Sequence, residues 1–230
     1  MSSSSFKSSA NRAELHSASQ ANTVIGEENS AQSLQNQGSA TKRTGFFGGS
    51  FNPLHAGHIA LARQLLSKAQ LDEIWFVVTP LNPFKTNATD LIDDDLRLEM
   101  TRVGLADEPN MIASDYEFHL PKPSYTWNTL QNLTNDYPDR TFVLLIGADN
   151  WLAFDRWAHP SDILAHYEIV VYPRRNYSVD DTILPPSVHL LDTKLYEVSS
   201  TDIRRRVRSG QPIDGLVPPS IRDMVMTYYR

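Results

Sequence analysis

The sequence predicts an α/β fold, a doubly wound and mostly parallel sheet, in a single domain over residues 44–230. Strand-like and helix-like patterns alternate along this region. The strand-like segments are apolar throughout, as expected for parallel strands that are covered by helices on both faces. A glycine turn follows the first strand, and ligands of such sheets bind beyond the carboxyl ends of the strands.

The first unit of the predicted sheet has a strand, a helix and a second strand. The strand covers residues 43–47, and the buried second strand covers 73–79. Between them, residues 58–69 carry apolar side chains at helical spacing, namely Ile59, Ala62, Leu65, Leu66 and Ala69. This spacing places the apolar residues on one helix face, which can pack against the sheet.

The later elements repeat the same alternation. They are a helix capped by Asp93 or Asp94, a strand at 111–113, a helix at 125–137, a strand at 141–146, a helix from Pro160 and a strand at 168–172.

Residues 1–43 differ in composition from the rest of the chain. They are rich in Ser, Ala, Asn and Gln, and their isolated apolar residues show no period. Such a segment buries too little apolar surface to offset its ordering entropy, so we predict a disordered tail. It could be a dispensable tail, a product of an upstream start codon or a transit peptide. Glu14, Glu27 and Glu28 count against the transit peptide.

Composition excludes several function classes. The net charge of -6 and the single short basic run, 204–206, argue against nucleic acid as a partner. No apolar run approaches the roughly 20 residues that span a bilayer, and the N-terminal segment lacks an apolar signal core, so no membrane partner is expected. The absence of cysteine is compatible with a reducing compartment, and we expect a cytoplasmic protein.

The segment 45–58 has the features of a phosphate-binding turn. Gly48 and Gly49 allow close backbone approach to a ligand, and a helix follows the turn. The unpaired N–H groups at a helix start attract anionic oxygens, and two histidines, His55 and His58, add side-chain donors. Their spacing lacks the intervening Glu of the zinc-helix motif, so no protein metal site is predicted.

A second candidate anion site lies at 198–204. Ser199, Ser200 and Thr201 precede an amphipathic segment, and Gly210 follows it. The simplest interpretation is a short capped helix. A helix start with hydroxyl groups and Arg204 one turn later can also hold phosphate oxygens.

These two segments, in this order, resemble the two halves of the nucleotide site of the nucleotidyltransferase superfamily. The first half is the glycine turn with His55-Ala56-Gly57-His58, and the second is Val198-Ser199-Ser200-Thr201-Asp202-Ile203-Arg204. The resemblance implies a Rossmann-like fold and three catalytic residues: His55 on the triphosphate, His58 on the charge that develops at the α-phosphate, and Arg204. It further implies ATP-binding roles for Gly48, Gly49, Ser50, Phe51, Asn52, Ser200 and Thr201.

The middle of the chain resembles bacterial nicotinate-nucleotide adenylyltransferases. The matching segments are Pro123-Ser124-Tyr125-Thr126, Ile146-Gly147-Ala148-Asp149 and Trp157. The resemblance implies that ATP, with Mg²⁺, and nicotinate mononucleotide react to nicotinate adenine dinucleotide and pyrophosphate in NAD biosynthesis. It places Trp157 against the pyridine ring, and backbone N–H groups near Tyr125, Thr126 and Ala158 at its carboxylate.

Two further residues have competing interpretations. Gly147 and Asp149 would border the adenosine, yet Asp149 could equally be the N-cap of a helix at 150–154. Lys85, in a loop at 81–85, resembles a phosphate contact, but it could be a solvated loop residue. Many relatives carry His where this chain has Phe84, so no polar contact is predicted there.

The sequence is compatible with two alternatives to the activity that the resemblance implies. One is a related nucleotidyltransferase with another acceptor, such as nicotinamide mononucleotide or phosphopantetheine, and Tyr125, Thr126 and Trp157 count against it. The other is a non-catalytic nucleotide sensor, which would not need both histidines and Arg204. The chain carries neither a P-loop nor a dinucleotide fingerprint, so P-loop hydrolysis and NAD-dependent redox chemistry lose their support.

Overall fold

The computed structural model describes residues 41–80 and 90–230. Of the tail predicted over 1–43, residues 1–40 lie outside the described part, and Lys42 already begins the first strand. Lys85 and its loop also lie outside it.

One six-stranded sheet organises the described chain, and each pair of neighbouring strands is parallel. The strands are β1 (Lys42–Gly49), β2 (Glu73–Val78), β3 (Met111–Ser114), β4 (Arg140–Gly147), β5 (Glu168–Tyr172) and β6 (Val188–Leu190). Their order is β3-β2-β1-β4-β5-β6, so the chain winds outward from β1 in one direction and then returns to wind in the other. The predicted doubly wound sheet is thereby confirmed.

Helices connect the strands. They are α1 (Ala56–Lys68), α2 (Asp94–Gly104), α3 (Thr126–Asp136), α4 (Ala148–Trp151), α5 (Pro160–His166), α6 (Ser200–Arg208) and α7 (Arg222–Tyr228). Short 3-10 turns cover Tyr116–His119 and Phe154–Arg156, among others. None of the helices in the described ranges is long and apolar enough to cross a membrane.

Both faces of the sheet are buried, which explains the continuous apolar strands. Successive side chains of a strand point to opposite faces. Accordingly Phe47 and Phe76 belong to one apolar cluster, with α1, α2 and α6, whereas Phe46 and Trp75 belong to a second, with α3 and α5. Every residue of β2 is buried.

Two differences from the predicted elements have local causes. Helix α1 begins at Ala56 rather than 58, because His55 is its N-cap. The helix predicted at 150–154 was wrong: α4 covers Ala148–Trp151 and Gly147 is at its N-cap position, so Asp149 lies inside the helix. Strand β6 and helix α7 were not predicted.

The fold creates a crevice where the winding direction reverses. From β1 the chain continues to β2 on one side, and from β4 it continues to β5 on the other side. Such a switch point opens a crevice beyond the carboxyl ends of these two neighbouring strands. Gly48 and Gly49 end β1, and Gly147 ends β4. The two glycine segments singled out in the sequence therefore meet at this crevice.

Candidate active site

Two cavities lie at the carboxyl ends of the central strands. The first, about 320 Å³, is called the tryptophan cavity. Its lining includes Gly48, Gly49, Tyr125, Thr126, Trp157 and Ala158. The second, about 560 Å³, is called the histidine cavity, and its lining includes His55, His58, Asp149, Arg174 and Lys194. Tyr172 lines both, so the cavities share a wall.

His55 and His58 cap the start of helix α1 reciprocally. The His58 backbone N–H donates to Nδ1 of His55 at 3.2 Å, and the His55 backbone N–H donates to Nδ1 of His58 at 3.3 Å. The two rings stack with centroids 3.5 Å apart. A ring whose Nδ1 accepts a hydrogen bond carries its hydrogen on Nε2. In their neutral forms both rings therefore carry the hydrogen on Nε2, and both residues line the histidine cavity.

His55 is held in its neutral form. Only 5% of the residue is exposed. Burial, followed by the nearby positive charge of Arg174, lowers the pKa of His55 to about 3. A neutral imidazole donates a hydrogen bond to an anionic ligand without taking up a proton, so His55 acts as a donor rather than as a cation at neutral pH.

We expect His55 to make the protein acid-sensitive between about pH 6.5 and pH 3. Unfolded protein binds a proton at His55 below pH 6.5, and folded protein binds it only near pH 3. Stability is therefore lost as the pH falls through this window, by up to about 5 kcal/mol. In His55→Asn, Asn is a good N-cap that does not titrate, so this part of the acid sensitivity should disappear. Urea unfolding at pH 7 and pH 4 measures it; equal pH dependence of both proteins would contradict the prediction.

Asp149 and Arg174 line the histidine cavity, and Gly147, at the end of β4, lies directly against them. Nε of Arg174 is 3.6 Å from Oδ1 of Asp149, and its guanidinium lies 5.2 Å from the Tyr172 ring centroid. A Cβ on Gly147 would collide with Asp149 Oδ1 and would lie 2.8 Å from Arg174 Nε. Gly147 therefore makes room for this ion pair.

If Gly147 borders the nucleotide, as the resemblance implies, Gly147→Ala should weaken ATP binding. The added methyl group has to displace Asp149 and Arg174, and inserting a methyl group into a packed site costs about 1–3 kcal/mol. We expect the KM for ATP to rise by roughly tenfold. The KM for the second substrate, measured in the same steady-state assay, is the internal control. A variant with an unchanged KM for ATP would show that this wall does not contact the nucleotide.

The tryptophan cavity combines an aromatic ring with an uncapped helix start. Trp157 is half-buried, and its ring packs on Phe154 with centroids 5.2 Å apart. Tyr125 is the N-cap residue of α3, and its side chain makes no capping hydrogen bond. The first N–H groups of α3, beginning at Thr126, are thus open to an anionic group in the cavity.

Three residues of the glycine turn that are predicted to bind ATP, Ser50, Phe51 and Asn52, contact other parts of the protein. The backbone oxygen of Ser50 accepts a 2.6 Å hydrogen bond from the fully buried Arg97. Phe51 is buried against Phe47. Nδ2 of Asn52 donates to the Asp90 backbone oxygen at 2.9 Å. Their side chains do not line either cavity, and they shape the turn.

The residues of α6 that are predicted to bind phosphate also have partners within the protein. Oγ of Ser200 donates to the Pro53 backbone oxygen at 2.9 Å. Arg204 is buried, donates to the Asn52 backbone oxygen at 2.7 Å and pairs with Asp90. This pairing lowers the pKa of Asp90. Thr201 Oγ1 lies 3.4 Å from Arg204 Nη2. Helix α6 is therefore fastened to the glycine turn.

Sequence reasoning missed several residues of the site. Arg174 and Lys194 bring positive charge to the histidine cavity, Glu117 and Arg156 line the tryptophan cavity, and Arg97 clamps the turn. Arg97, Arg174 and Lys194 lie far along the chain from the glycine turn and the histidines that they approach. Arg156, directly before Trp157, and Arg174, two residues after the end of a predicted strand, had a positional signal.

No group of three or more His, Asp or Glu side chains that could hold a metal ion occurs in residues 41–80 and 90–230.

Comparison with known proteins identifies the family. The sequence profile of the cytidylyltransferase-like family matches residues 46–206. The chain is 48% identical to a probable nicotinate-nucleotide adenylyltransferase of Bacteroides fragilis, over 79% of this chain and 90% of that protein. It is 42% identical to one of Bacteroides thetaiotaomicron, over 82% and 93%. The chain belongs to the nicotinate-nucleotide adenylyltransferase family.

A solved structure supports the fold of this family member. The nicotinic acid mononucleotide adenylyltransferase of Plasmodium falciparum, complexed with NaAD, is similar with a TM-score of 0.67. It is 20% identical, and the match covers 81% of this chain and 94% of that one. The predicted family, the nucleotidyltransferase fold and the enzyme class are thereby confirmed.

Proposed function

We propose that this chain transfers the adenylyl group of ATP to the 5′-phosphate of nicotinate mononucleotide. The products are nicotinate adenine dinucleotide and pyrophosphate, a step of NAD biosynthesis. The relatives at 48% and 42% identity carry the name of this activity. In the proposal, the pyridine ring binds in the tryptophan cavity and ATP in the histidine cavity.

The single observation that carries the acceptor assignment is the uncapped start of α3 beside Trp157. An electron-poor pyridine ring can stack on the half-buried indole of Trp157. The ring's carboxylate would then accept hydrogen bonds from N–H groups near Tyr125, Thr126 and Ala158, which line the same cavity. An amide presents an NH₂ group that cannot accept these bonds, so the arrangement favours nicotinate over nicotinamide.

ATP phosphates would bind where donors and cations converge. His55 and His58 supply Nε2–H groups, and Arg174 and Lys194 supply positive charge along the same cavity. Gly48 and Gly49 leave room for the nucleotide at the shared end of β1. We assign the adenosine to the wall formed by Gly147 and Asp149.

Arg204, Ser200, Thr201 and Lys85 are proposed to act on the triphosphate. Arg204 would exchange the Asp90 carboxylate for phosphate oxygens, since both are anionic acceptors for a guanidinium fork. Ser200 and Thr201 stand at the start of α6, where a helix favours negative charge. Ser50, Phe51 and Asn52 would contribute by shaping the turn.

The chemistry needs charge stabilisation rather than a general base. The second pKa of a phosphomonoester is about 6, so the attacking phosphate is largely dianionic at neutral pH. Its oxygen forms a bond to the α-phosphorus of ATP while the bond to the pyrophosphate oxygen breaks. Holding the two anions in line and neutralising the developing charge lowers the barrier. Mg²⁺ would enter with ATP, held by phosphate oxygens and water.

We propose a cytoplasmic location and small-molecule partners for this protein. Net charge -6 disfavours nucleic acid, and the absence of cysteine is compatible with the cytoplasm. ATP and nicotinate mononucleotide are the proposed partners.

Pyrophosphate release by the purified protein with ATP and Mg²⁺ tests the proposal. Nicotinate mononucleotide, nicotinamide mononucleotide and phosphopantetheine are offered in parallel, and His58→Gln measures the background. A strong preference for nicotinate mononucleotide is expected. Activity with another acceptor alone would overturn the assignment of Trp157, and no release with any acceptor would favour a nucleotide sensor.

A further inference from the structure

A buried carboxyl group lies beneath the wall of the tryptophan cavity. Glu117 is 3% exposed, and it lines this cavity together with Ser124. Its Oε1 lies 2.9 Å from Oγ1 of Thr129, in the second turn of α3. Its Oε2 is buried and finds no hydrogen-bond partner within the described part of the chain. The activity proposed above assigns no role to this group.

The hydroxyl of Thr129 shows which form of Glu117 fits. Oγ1 of Thr129 lies 2.9 Å from Oε1 of Glu117 and 3.3 Å from the backbone oxygen of Tyr125. A hydroxyl has one hydrogen, so it can donate to only one of two acceptors. If Glu117 is ionised, the two acceptors have to share this one hydrogen, which weakens at least one of the two contacts. If Glu117 carries a proton on Oε1, it donates to Thr129, and the Thr129 hydrogen is available for Tyr125.

Burial and the unpaired Oε2 favour the same protonation state. Burial is the largest influence and raises the pKa of Glu117. The Thr129 hydroxyl at Oε1 opposes it, as do the hydroxyls of Thr79 and Ser124, although neither of these two makes a hydrogen bond of normal geometry to Oε2. An unpaired carbonyl oxygen of a neutral acid costs less to bury than an unpaired carboxylate oxygen. The titratable groups that share the cavity wall are Tyr125, Arg156 and Tyr172.

We propose that Glu117 is a positioning residue of the pyridine subsite and works as a neutral acid. Its Oε1–H donates to Thr129 Oγ1, and the Thr129 hydroxyl donates to the Tyr125 backbone oxygen. This relay fixes the first turn of α3, where Thr126 begins the row of open N–H groups. A neutral Glu117 also leaves the positive end of α3 to the substrate, whereas an ionised one would compete for it. The proposal rests on the acceptor assignment above and deepens it.

Substitutions separate a neutral acid from a carboxylate. Glu117→Gln keeps a donor and an acceptor without charge, so it should keep the KM for nicotinate mononucleotide within about twofold and its preference over nicotinamide mononucleotide. Glu117→Leu keeps a side chain of similar size but removes the donor, so this KM should rise about tenfold. The KM for ATP should stay unchanged in both variants. If Glu117→Gln is as impaired as Glu117→Leu, the neutral-acid proposal is overturned.

The relay itself is tested at Thr129. Thr129→Val should resemble Glu117→Leu, and the double variant should be no worse than either, because both break one chain of hydrogen bonds. Thr129→Ser keeps the hydroxyl and should restore the KM. Additive losses in the double variant would show that the two residues act independently.

Thermal unfolding supplies a test that needs no activity. Folded protein favours the neutral acid, whereas the unfolded chain releases this proton above the ordinary pKa of 4.5. Stability that depends on Glu117 is therefore lost as the pH rises. From pH 5 to pH 9, the Tm of the wild type should fall by several degrees relative to Glu117→Gln. A constant difference would overturn the neutral acid even if nicotinate mononucleotide is the substrate, and the expected fall would support it even if another acceptor is used.

Discussion

His58→Ala is expected to lower kcat by about 10²- to 10³-fold, as the removal of one donor from an oxyanion site does. In the proposed mechanism, His58 lines the histidine cavity and stabilises the charge that develops on the α-phosphate and on pyrophosphate. Interactions made mainly in the transition state change kcat and leave binding almost untouched, so the KM for ATP should change little. Steady-state kinetics with both substrates varied measures this.

The reciprocal cap makes a matched control necessary. Nδ1 of His58 accepts from the His55 backbone N–H, and its ring stacks on His55, so alanine also weakens the start of α1 by about 1 kcal/mol. Glutamine at this third helical position keeps a reciprocal cap without the imidazole. His58→Gln should therefore lose kcat as fully as His58→Ala while unfolding like the wild type. If the loss is confined to ATP affinity, His58 acts in binding and not in the transition state.

The sheet could be predicted because the polarity of a strand's residues depends on whether its two faces are buried. A strand covered on both faces must be apolar at every position, and β2 and β4 satisfy this rule with almost no polar residues. Glycine and proline marked where these strands end. The predicted bounds of α1 and α3 and the predicted start of α2 were accurate to within two residues, since the helical spacing of apolar residues and the Asp93 cap are local features.

The features that were not predicted lack such local signals in the sequence. Strand β6 has three residues, too few to establish a period, and forms because β5 offers it a partner. Asp149 had the residue type of an N-cap, but α4 begins directly at the end of β4. The strand order itself depends on contacts between distant segments, which spacing along the chain does not encode.

The same distinction applies to the site. Most residues predicted from the local motifs line one of the two cavities, because short motifs carry their own local geometry; they are Gly48, Gly49, His55, His58, Tyr125, Thr126, Trp157 and Ala158. Asn52 and Arg204 depend on long-range partners: Asn52 contacts the region around Asp90, and Arg204 pairs with Asp90 itself. Whether a positively charged side chain can contact a ligand depends on such pairs. They join residues that are distant in the sequence and are brought together only by folding.

Trp157→Ala is expected to raise the KM for nicotinate mononucleotide by roughly 10- to 100-fold, because stacking of a heterocyclic base on an aromatic side chain contributes about 1–3 kcal/mol. The KM for ATP and kcat should change little, since Trp157 does not line the histidine cavity. Trp157→Phe keeps a flat ring and should recover most of the affinity. Initial rates with one substrate saturating and the other varied distinguish the two KM values.

Trp151 offers the matched control for this prediction. It packs on the same Phe154 ring as Trp157 does, with centroids 5.3 Å apart, but it is not part of the tryptophan cavity. Both alanine variants remove a half-buried indole from this aromatic group, so both should lose stability, by about 1–3 kcal/mol. Only Trp157→Ala should raise the KM for nicotinate mononucleotide. Equal effects of the two variants on both substrates would mean that Trp157 is a packing residue, and the ring would then have to bind elsewhere in the crevice.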